Sequence, residues 1–343
     1  MKALGLGLLV GALALGGCAS NQPHRLRVFG EPTERFATNW AGERAPRADG
    51  GQSSLLLASA PAQGDPRDAA ATVSAGSKQG TPALLPGSPQ RTAYALVVGI
   101  ERYRDLPPVL GARADAARYA ALVGTTLGLP QQNVRVLVDD RATRADVEQG
   151  LEWLQQMVPA GGRAYLFFSG HGAPDTKSGQ PFLVTYEGNP KSLARTSLPL
   201  ADVMKSLEAT KGKDALAVVD ACFSGSGGRS VLPEGARPLM VVKDERPQAK
   251  LALFSASSGA QISGPTLDRK GGLFSSLFVQ GLGTAAADVD GDRQITLSEL
   301  DQWLKPRVER EAKSDQREQT PSLVLGRSAG QPGDFVVAYG VAR

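Results

Sequence analysis

The chain has 343 residues, of which 41% are hydrophobic and 21% charged, and its formal net charge is +4. These values are ordinary for a globular protein with a sizeable core. The small net charge, without a basic stripe interleaved with aromatic residues, argues against nucleic acid as a partner.

The amino terminus carries an export signal. An apolar run over residues 3–15, too short to span a bilayer, is followed by Gly16, Gly17 and Cys18. The run Leu-Gly-Gly-Cys resembles the processing box of bacterial lipoproteins, which implies cleavage before Cys18 and a diacylglyceryl anchor on its thiol. Residues 1–17 are therefore predicted as a lipoprotein signal peptide, with an uncleaved signal helix as the alternative. In that family, Ala19 after the anchor favours the outer over the inner membrane.

Residues 18–91 predict a flexible tether, because they are rich in Ala, Gly, Ser, Pro and Gln without a sustained period. Beyond residue 92, strand and helix patterns alternate, which favours a mainly parallel sheet with helices on both faces. The predicted strands are 93–100, 134–139, 164–169, 215–219 and 251–255, and the predicted helices are 112–127, 145–158, 200–209, 273–282 and 296–311.

Two reactive side chains follow predicted strands. His171 stands in a Ser-Gly-His-Gly turn, and Cys222 in the run Asp-Ala-Cys-Phe-Ser-Gly. Open α/β sheets place their sites at the carboxyl ends of strands, so the two are predicted to share a cleft. A thiol with a pKa of about 8.5 needs a nearby base to react at neutral pH. The alternatives are a small core residue for Cys222 and a turn histidine without a catalytic role for His171.

The motifs resemble those of the caspase-like peptidases, the metacaspase and bacterial orthocaspase branch more than the animal caspases. They span roughly residues 92 to 325. The separation of 51 residues between His171 and Cys222 agrees with the caspase signature of about 50, but Asp220 replaces its glutamine. The other matching residues are the strand 93–100 with Tyr103, Leu110-Gly111, Ala114-Asp115-Ala116 and 271–275.

The resemblance implies a caspase-like three-layer sandwich over residues 92–343. It also implies that Cys222 attacks the scissile carbonyl, that His171 handles its proton, and that backbone amides of Gly172 and Cys222 hold the oxyanion. Asp115 and Asp220 would form an acidic pocket for an Arg or Lys before the cleaved bond, because a buried carboxylate without a cation is costly. The alternatives are a helix N-terminal carboxylate for Asp115 and a hydrogen-bonded strand end for Asp220.

Residues 225–250 are rich in glycine, proline and basic side chains, and they predict a long exposed loop. We expect either self-cleavage after a basic residue in this loop or an uncut loop that binds substrate.

A second motif occupies residues 288–299. Asp288, Asp290, Asp292, Gln294 and Glu299 match the ligand spacing of an EF-hand calcium loop. Arg293 departs from it, because this position normally requires glycine in a left-handed turn. The alternative is an acidic loop before a helix that Thr296 and Glu299 cap.

The sequence therefore predicts an exported, membrane-anchored cysteine endopeptidase that cleaves protein or peptide substrates after Arg or Lys. It needs no cofactor for the chemistry, although calcium is a candidate ligand, and the resemblance favours a monomer. The two rival functions are a non-catalytic caspase-fold scaffold and a calcium-responsive surface interaction lipoprotein.

Overall fold

The computed structural model describes residues 83–175, 178–223, 250–258, 261, 263–326 and 335–340. The predicted signal peptide, the anchor residue Cys18, most of the tether and residues 225–249 of the predicted processing loop lie outside the described residues.

The described strands are β1 (Ala93–Gly99), β2 (Val134–Val138), β3 (Arg163–Ser169), β4 (Gly172–Pro174), β5 (Pro181–Val184), β6 (Ser197–Pro199), β7 (Asp214–Asp220), β8 (Leu251–Ser255), β9 (Gln294–Thr296), β10 (Ser322–Leu325) and β11 (Val336–Tyr339). The described α-helices are α1 (Ala112–Thr125), α2 (Arg144–Met157), α3 (Leu193–Thr196), α4 (Leu200–Glu208), α5 (Leu273–Gly283) and α6 (Leu297–Ser314).

Six of these strands form the central sheet, in the order β10-β8-β7-β3-β1-β2. Every neighbouring pair is parallel except β10 and β8, which run antiparallel. The central strand β3 is buried at every position, as expected of a parallel strand that is covered on both faces. The predicted α/β sandwich with a mainly parallel sheet is confirmed.

Alternate residues of each strand pack on opposite faces of the sheet. On one face Val97 and Phe167 join a hydrophobic cluster with residues of α1, α5 and α6. Tyr119 of α1 stacks on Phe167 with ring centroids 4.4 Å apart. On the other face Leu96 and Leu166 join a second cluster with residues of α2 and α4. These two layers of helices fix the sheet from both sides and leave its strand ends to build a site.

The predicted helices and strands are confirmed, with ends that shift by one to three residues. The strand predicted to reach Asp139 stops at Val138, because Asp139 turns into a left-handed conformation with φ 47°. Its carboxylate there accepts hydrogen bonds from the backbone N–H groups of Glu101 and Arg102, at 2.9 and 3.0 Å. Asp139 thus ends this strand by binding backbone groups from another part of the chain, which a local pattern does not reveal.

The short strands were not predicted from the sequence. The small antiparallel sheet β4-β5-β6 directly follows His171, and β9 pairs with β11. Each of these strands has three or four residues, too few to establish an alternating pattern. Among the described residues, no helix combines the length and the apolar character needed to cross a membrane.

Candidate active site

The register of β3 and β7 builds the centre of the site. Ser169 pairs with Asp220, and the N–H of Gly170 donates to the carbonyl of Asp220 at 3.2 Å. His171 and Cys222 each lie two residues beyond that pair. A Cβ atom on Gly172 would lie 2.5 Å from the Cys222 carbonyl oxygen, so only glycine permits this approach. The structure thus brings the backbones of His171, Gly172 and Cys222 together at the carboxyl edge of the sheet.

Polar groups of Ser263 contact the Cys222 thiol. The side chain is fully buried, and its sulfur accepts a hydrogen bond from the N–H of Ser263 at 2.9 Å. The Ser263 carbonyl and hydroxyl oxygens lie 3.1 and 3.2 Å from the same atom. Cys222 belongs to neither hydrophobic cluster. These polar contacts distinguish the thiol from one that is packed only in hydrocarbon.

Two groups of the β1–α1 loop orient His171. The Tyr103 hydroxyl accepts a hydrogen bond from the backbone N–H of His171 at 2.6 Å, and the two rings lie 4.7 Å apart. The His171 Nε2 atom lies 2.8 Å from the carbonyl oxygen of Pro107. Because a carbonyl oxygen only accepts, Nε2 carries a proton, and in the neutral ring Nδ1 is then the basic atom.

No side chain can be named from the sequence as a third residue that orients His171 and fixes its tautomer. The orienting group is a backbone carbonyl, which has no signature in sequence. Tyr103 was one of the matching residues, but its role was not predicted.

Partly buried polar contacts hold the loop that carries Tyr103 and Pro107. The Asp139 carboxylate binds the loop at Glu101 and Arg102, as described above, and the Glu101 carboxylate accepts from the N–H of Gly111 at 3.1 Å. The loop is thus fixed at both ends before it reaches His171.

Asp115 lies fully buried in the first turn of α1. Its carboxylate accepts hydrogen bonds from the Ser169 hydroxyl at 2.9 Å and from the Gly272 N–H at 2.9 Å. It also pairs with Arg118, three residues along the helix, at 2.5 Å. Asp115 therefore occupies the helix N-terminus, as the alternative interpretation expects, and at the same time contacts β3 and the start of α5.

Asp220 is also fully buried, at the end of β7. Its carboxylate accepts from the Ser275 hydroxyl at 2.7 Å and from the Ser275 N–H at 3.3 Å. Both predicted pocket acids thus meet the amino-terminal turn of α5, where unsatisfied N–H groups and the helix dipole favour negative charge. The pairing of Ser169 with Asp220 and the Ser169 bond to Asp115 join the two acids into one cluster.

Three of the predicted calcium ligands converge in the acidic loop. The carboxylates of Asp288, Asp290 and Asp292 have oxygen atoms within 4.8 Å of one another. Arg293 has φ 69°, so arginine takes the left-handed conformation that this position of the motif requires. The loop is thus shaped like the motif despite the missing glycine.

Glu299 caps α6 in this loop. Its carboxylate accepts from the Thr296 N–H at 2.9 Å, and its own N–H donates to the Thr296 hydroxyl at 3.2 Å. The second carboxylate oxygen accepts from the N–H of Val289 at 3.1 Å. The capping box of the alternative interpretation is therefore present. Calcium binding by Asp288, Asp290, Asp292, Gln294 and Glu299 stays a prediction.

One residue of the predicted processing loop, Lys250, is described. Its ammonium group donates to the carbonyl oxygens of Thr210 and Gly212, at 2.6 and 2.5 Å. Lys250 anchors the start of β8, which makes it a poor position for self-cleavage.

One family model and one solved structure agree with this fold. The family model described as the caspase domain, Peptidase_C14, matches residues 92–328. Protein GSU0716 from Geobacter sulfurreducens is similar in structure, with 18% identity and a TM-score of 0.51, over 68% of this chain and 93% of that one. Caspase-1 from Spodoptera frugiperda has 14% identity and a TM-score of 0.45, over 74% of this chain and 97% of that one. No curated protein matches the chain.

Proposed function

Because this chain belongs to the caspase-domain family, we propose that it is a cysteine endopeptidase with Cys222 as nucleophile and His171 as its base. Peptides and proteins are the substrates that this family suggests. The preference for Arg or Lys before the cleaved bond is the finer part of the proposal.

One observation carries the proposal. The Ser169–Asp220 pair puts His171 and Cys222 at equivalent positions beyond two adjacent parallel strands, and Gly172 touches the Cys222 backbone. The Pro107 carbonyl fixes the proton on Nε2, so that Nδ1 is available as the base. A core cysteine or a turn histidine has no need of this combination.

The chemistry then proceeds by acyl transfer. His171 Nδ1 takes the thiol proton of Cys222, and the sulfur forms a bond to the scissile carbonyl carbon. The negative oxygen of the tetrahedral intermediate would be held by the backbone N–H groups of Gly172 and Cys222. As the intermediate collapses, the C–N bond breaks, His171 gives its proton to the leaving amine, and a thioester remains. Water, deprotonated by His171, hydrolyses the thioester and restores the thiol.

Asp115 and Asp220 would bind the cationic side chain before the cleaved bond. Both carboxylates are buried, so an ion pair there is screened much less than one at the surface. An aspartate at that substrate position would meet two like charges, which opposes an animal-caspase preference.

A non-catalytic scaffold remains the rival function, and one observation favours it. Cys222 is fully buried, and His171 is 1% exposed. A catalytic role therefore requires the groups that cover the sulfur to open a path for a substrate.

Turnover of a peptide amide that ends in arginine tests the proposal. We expect the purified protein to release the amine, and Cys222→Ala and His171→Ala to lose this activity while keeping the folded circular dichroism spectrum. Cys18→Ala removes the other thiol of the chain, so it is the matched control and should keep full turnover. Absence of turnover in the parent, or equal turnover in Cys222→Ala, would support the scaffold.

The anchor at Cys18, export to the outer membrane, the monomeric state and self-cleavage in residues 225–250 stay predictions from the sequence. Mass analysis of the mature protein tests two of them at once, because lipidation adds mass at Cys18 and cleavage divides the chain.

A further inference from the structure

Arg118 places a cation of the protein itself in the acidic cluster. Its Nη2 atom donates to the Asp115 carboxylate at 2.5 Å, while Asp115 is fully buried. This is the contact that the proposed function gives to the arginine of a substrate. The acid predicted to recognise a guanidinium thus already holds one.

The other contacts of Arg118 are weak. Its Nη2 lies 3.4 Å from the Ser276 hydroxyl, and its Nη1 lies 3.5 Å from the Lys270 carbonyl, both at the long limit for a hydrogen bond. The Nε atom makes no hydrogen bond with any described residue. The side chain is 23% exposed, so it has a path to solvent. Arg118 is therefore held mainly by Asp115, and its displacement would break one strong contact and two long ones.

Two glycines make room for the guanidinium. A Cβ atom on Gly271 would overlap the Arg118 Nη2 atom and lie 2.5 Å from the Asp115 carboxylate. A Cβ atom on Gly111, which has φ 84°, would lie 2.5 Å from the Cα atom of Gly271. The backbone before α5 thus packs directly on the start of α1. The space next to Asp115 fits a planar guanidinium because residue 271 lacks a side chain.

We propose that Arg118 is a specificity-determining residue, which competes with the basic side chain of the substrate for Asp115. The inference rests on the proposed function. Arg118 and Asp115 together carry no net charge, so an incoming cation gains less from Asp115 than it would from an unpaired carboxylate. Arg118 therefore lowers the ratio of kcat/KM for substrates with Arg or Lys to kcat/KM for substrates with a neutral residue of similar size before the cleaved bond. Removal of Arg118 raises this ratio.

Two peptide amides that differ in one residue test this inference. One has arginine and the other glutamine before the cleaved bond, and kcat/KM is measured for each. In Arg118→Gln the ratio of the two values should rise about tenfold, since a charge-assisted hydrogen bond contributes at least that factor. Most of the change should lie in KM for the arginine peptide, because the substrate no longer displaces an internal cation.

Arg113→Gln is the matched control. It removes the same charge from the same helix, but Arg113 is 46% exposed and faces Asp139 at 3.7 Å. Its peptide ratio should stay that of the parent. Ser276→Ala removes only one weak contact of Arg118 and leaves Asp115 paired, so a smaller rise in the ratio is expected, and it replaces Arg118→Gln as the test if that variant does not fold.

An unchanged ratio in Arg118→Gln, equal to that of Arg113→Gln, would overturn the inference while the enzyme stays active. A fall in the ratio would also overturn it, because Arg118 would then position Asp115 for substrate binding rather than compete with the substrate. Failure of the proposed function is a different result, since the parent protein would then cleave neither peptide.

Discussion

Strands β3 and β7 carry a pair of polar residues at each end. The two ends differ in the partner that accompanies the buried acid. At the amino end, Arg163 faces Asp214 across the pair of strands. At the carboxyl end, the same two strands place Ser169 opposite Asp220. One end pairs an acid with a permanent cation, and the other pairs an acid with a hydroxyl.

The amino end is closed by the protein itself. The Arg163 guanidinium binds both carboxylate oxygens of Asp214, and it also donates to the Tyr165 hydroxyl and the Val336 carbonyl. Burial lowers the pKa of Arg163, but the charges and hydrogen bonds of Tyr165 and Asp214 outweigh it, and the net pKa lies above the usual value. Such a pair is already saturated and has no use for an external ligand.

At the carboxyl end, by contrast, most of the donors to the two acids are neutral. Asp220 accepts from Ser275, and Asp115 accepts from Ser169 and Gly272 and also pairs with Arg118, whose side chain is 23% exposed. At Asp220, neutral dipoles compensate the burial of the carboxylate without cancelling its charge. The comparison teaches that a buried acid paired with an opposite charge on the neighbouring strand serves stability. A buried acid that is held by neutral dipoles keeps its negative charge, which can attract a cationic ligand.

The largest expected effect is on stability at the amino end. Asp214→Asn leaves Arg163 buried without a counter-charge, and loss of one partner of a buried pair costs about 3 kcal/mol or more. We expect urea unfolding to show this loss in the free energy of unfolding. The double variant Arg163→Met/Asp214→Leu should recover most of it. A loss below about 1 kcal/mol would show that this end is not a saturated ion pair.

A smaller effect, on activity, is expected at the carboxyl end. Asp220→Asn has the same shape and keeps an oxygen for Ser275, but it removes the charge. We expect kcat/KM for an arginine peptide to fall about a hundredfold, because loss of a desolvated charge partner costs about 2–5 kcal/mol. Urea unfolding should change little.

Asp214→Asn is the matched variant for this test, since it makes the same substitution at the other end of β7. Below the temperature at which it unfolds, it should keep the peptide preference of the parent. If both substitutions lowered stability equally and neither changed the preference for arginine, the proposed difference between the two ends would be wrong.

The sequence predicted the strands and helices because their apolar periods extend over five or more residues, as in β3 and α2. It also brought His171 and Cys222 to one edge, because parallel strands end on the same side of a sheet. These predictions depend on patterns within single segments and on one rule of topology.

Three features of the site had no such signal. The Pro107 carbonyl orients His171 through its backbone, and the Ser263 backbone contacts the Cys222 sulfur. Arg118 lies three residues after Asp115, a spacing that helical pairs commonly use. Nothing local shows that this pair is buried against α5, since that depends on how Gly271 packs across the fold.

The acidic loop at residues 288–299 arranges its charged groups in a third way, and the expected effect on stability there is the smallest. Its three aspartates converge, but two of them are exposed, so water screens them. If calcium binds, free calcium at ten times its dissociation constant would raise the free energy of unfolding by about 1.4 kcal/mol. Asp288→Ala should abolish that increase in calcium titrations followed by thermal unfolding.

Glu299→Gln separates the metal site from the helix cap. Glutamine serves at this position of a capping box as glutamate does, so stability without calcium should stay near that of the parent. A neutral amide is a poor substitute for the carboxylate at the last position of a calcium loop, so the stabilisation by calcium should be lost. If calcium raises the melting temperature of neither the parent nor this variant, Glu299 only caps α6. The loop carboxylates are then solvated surface groups that bind no calcium.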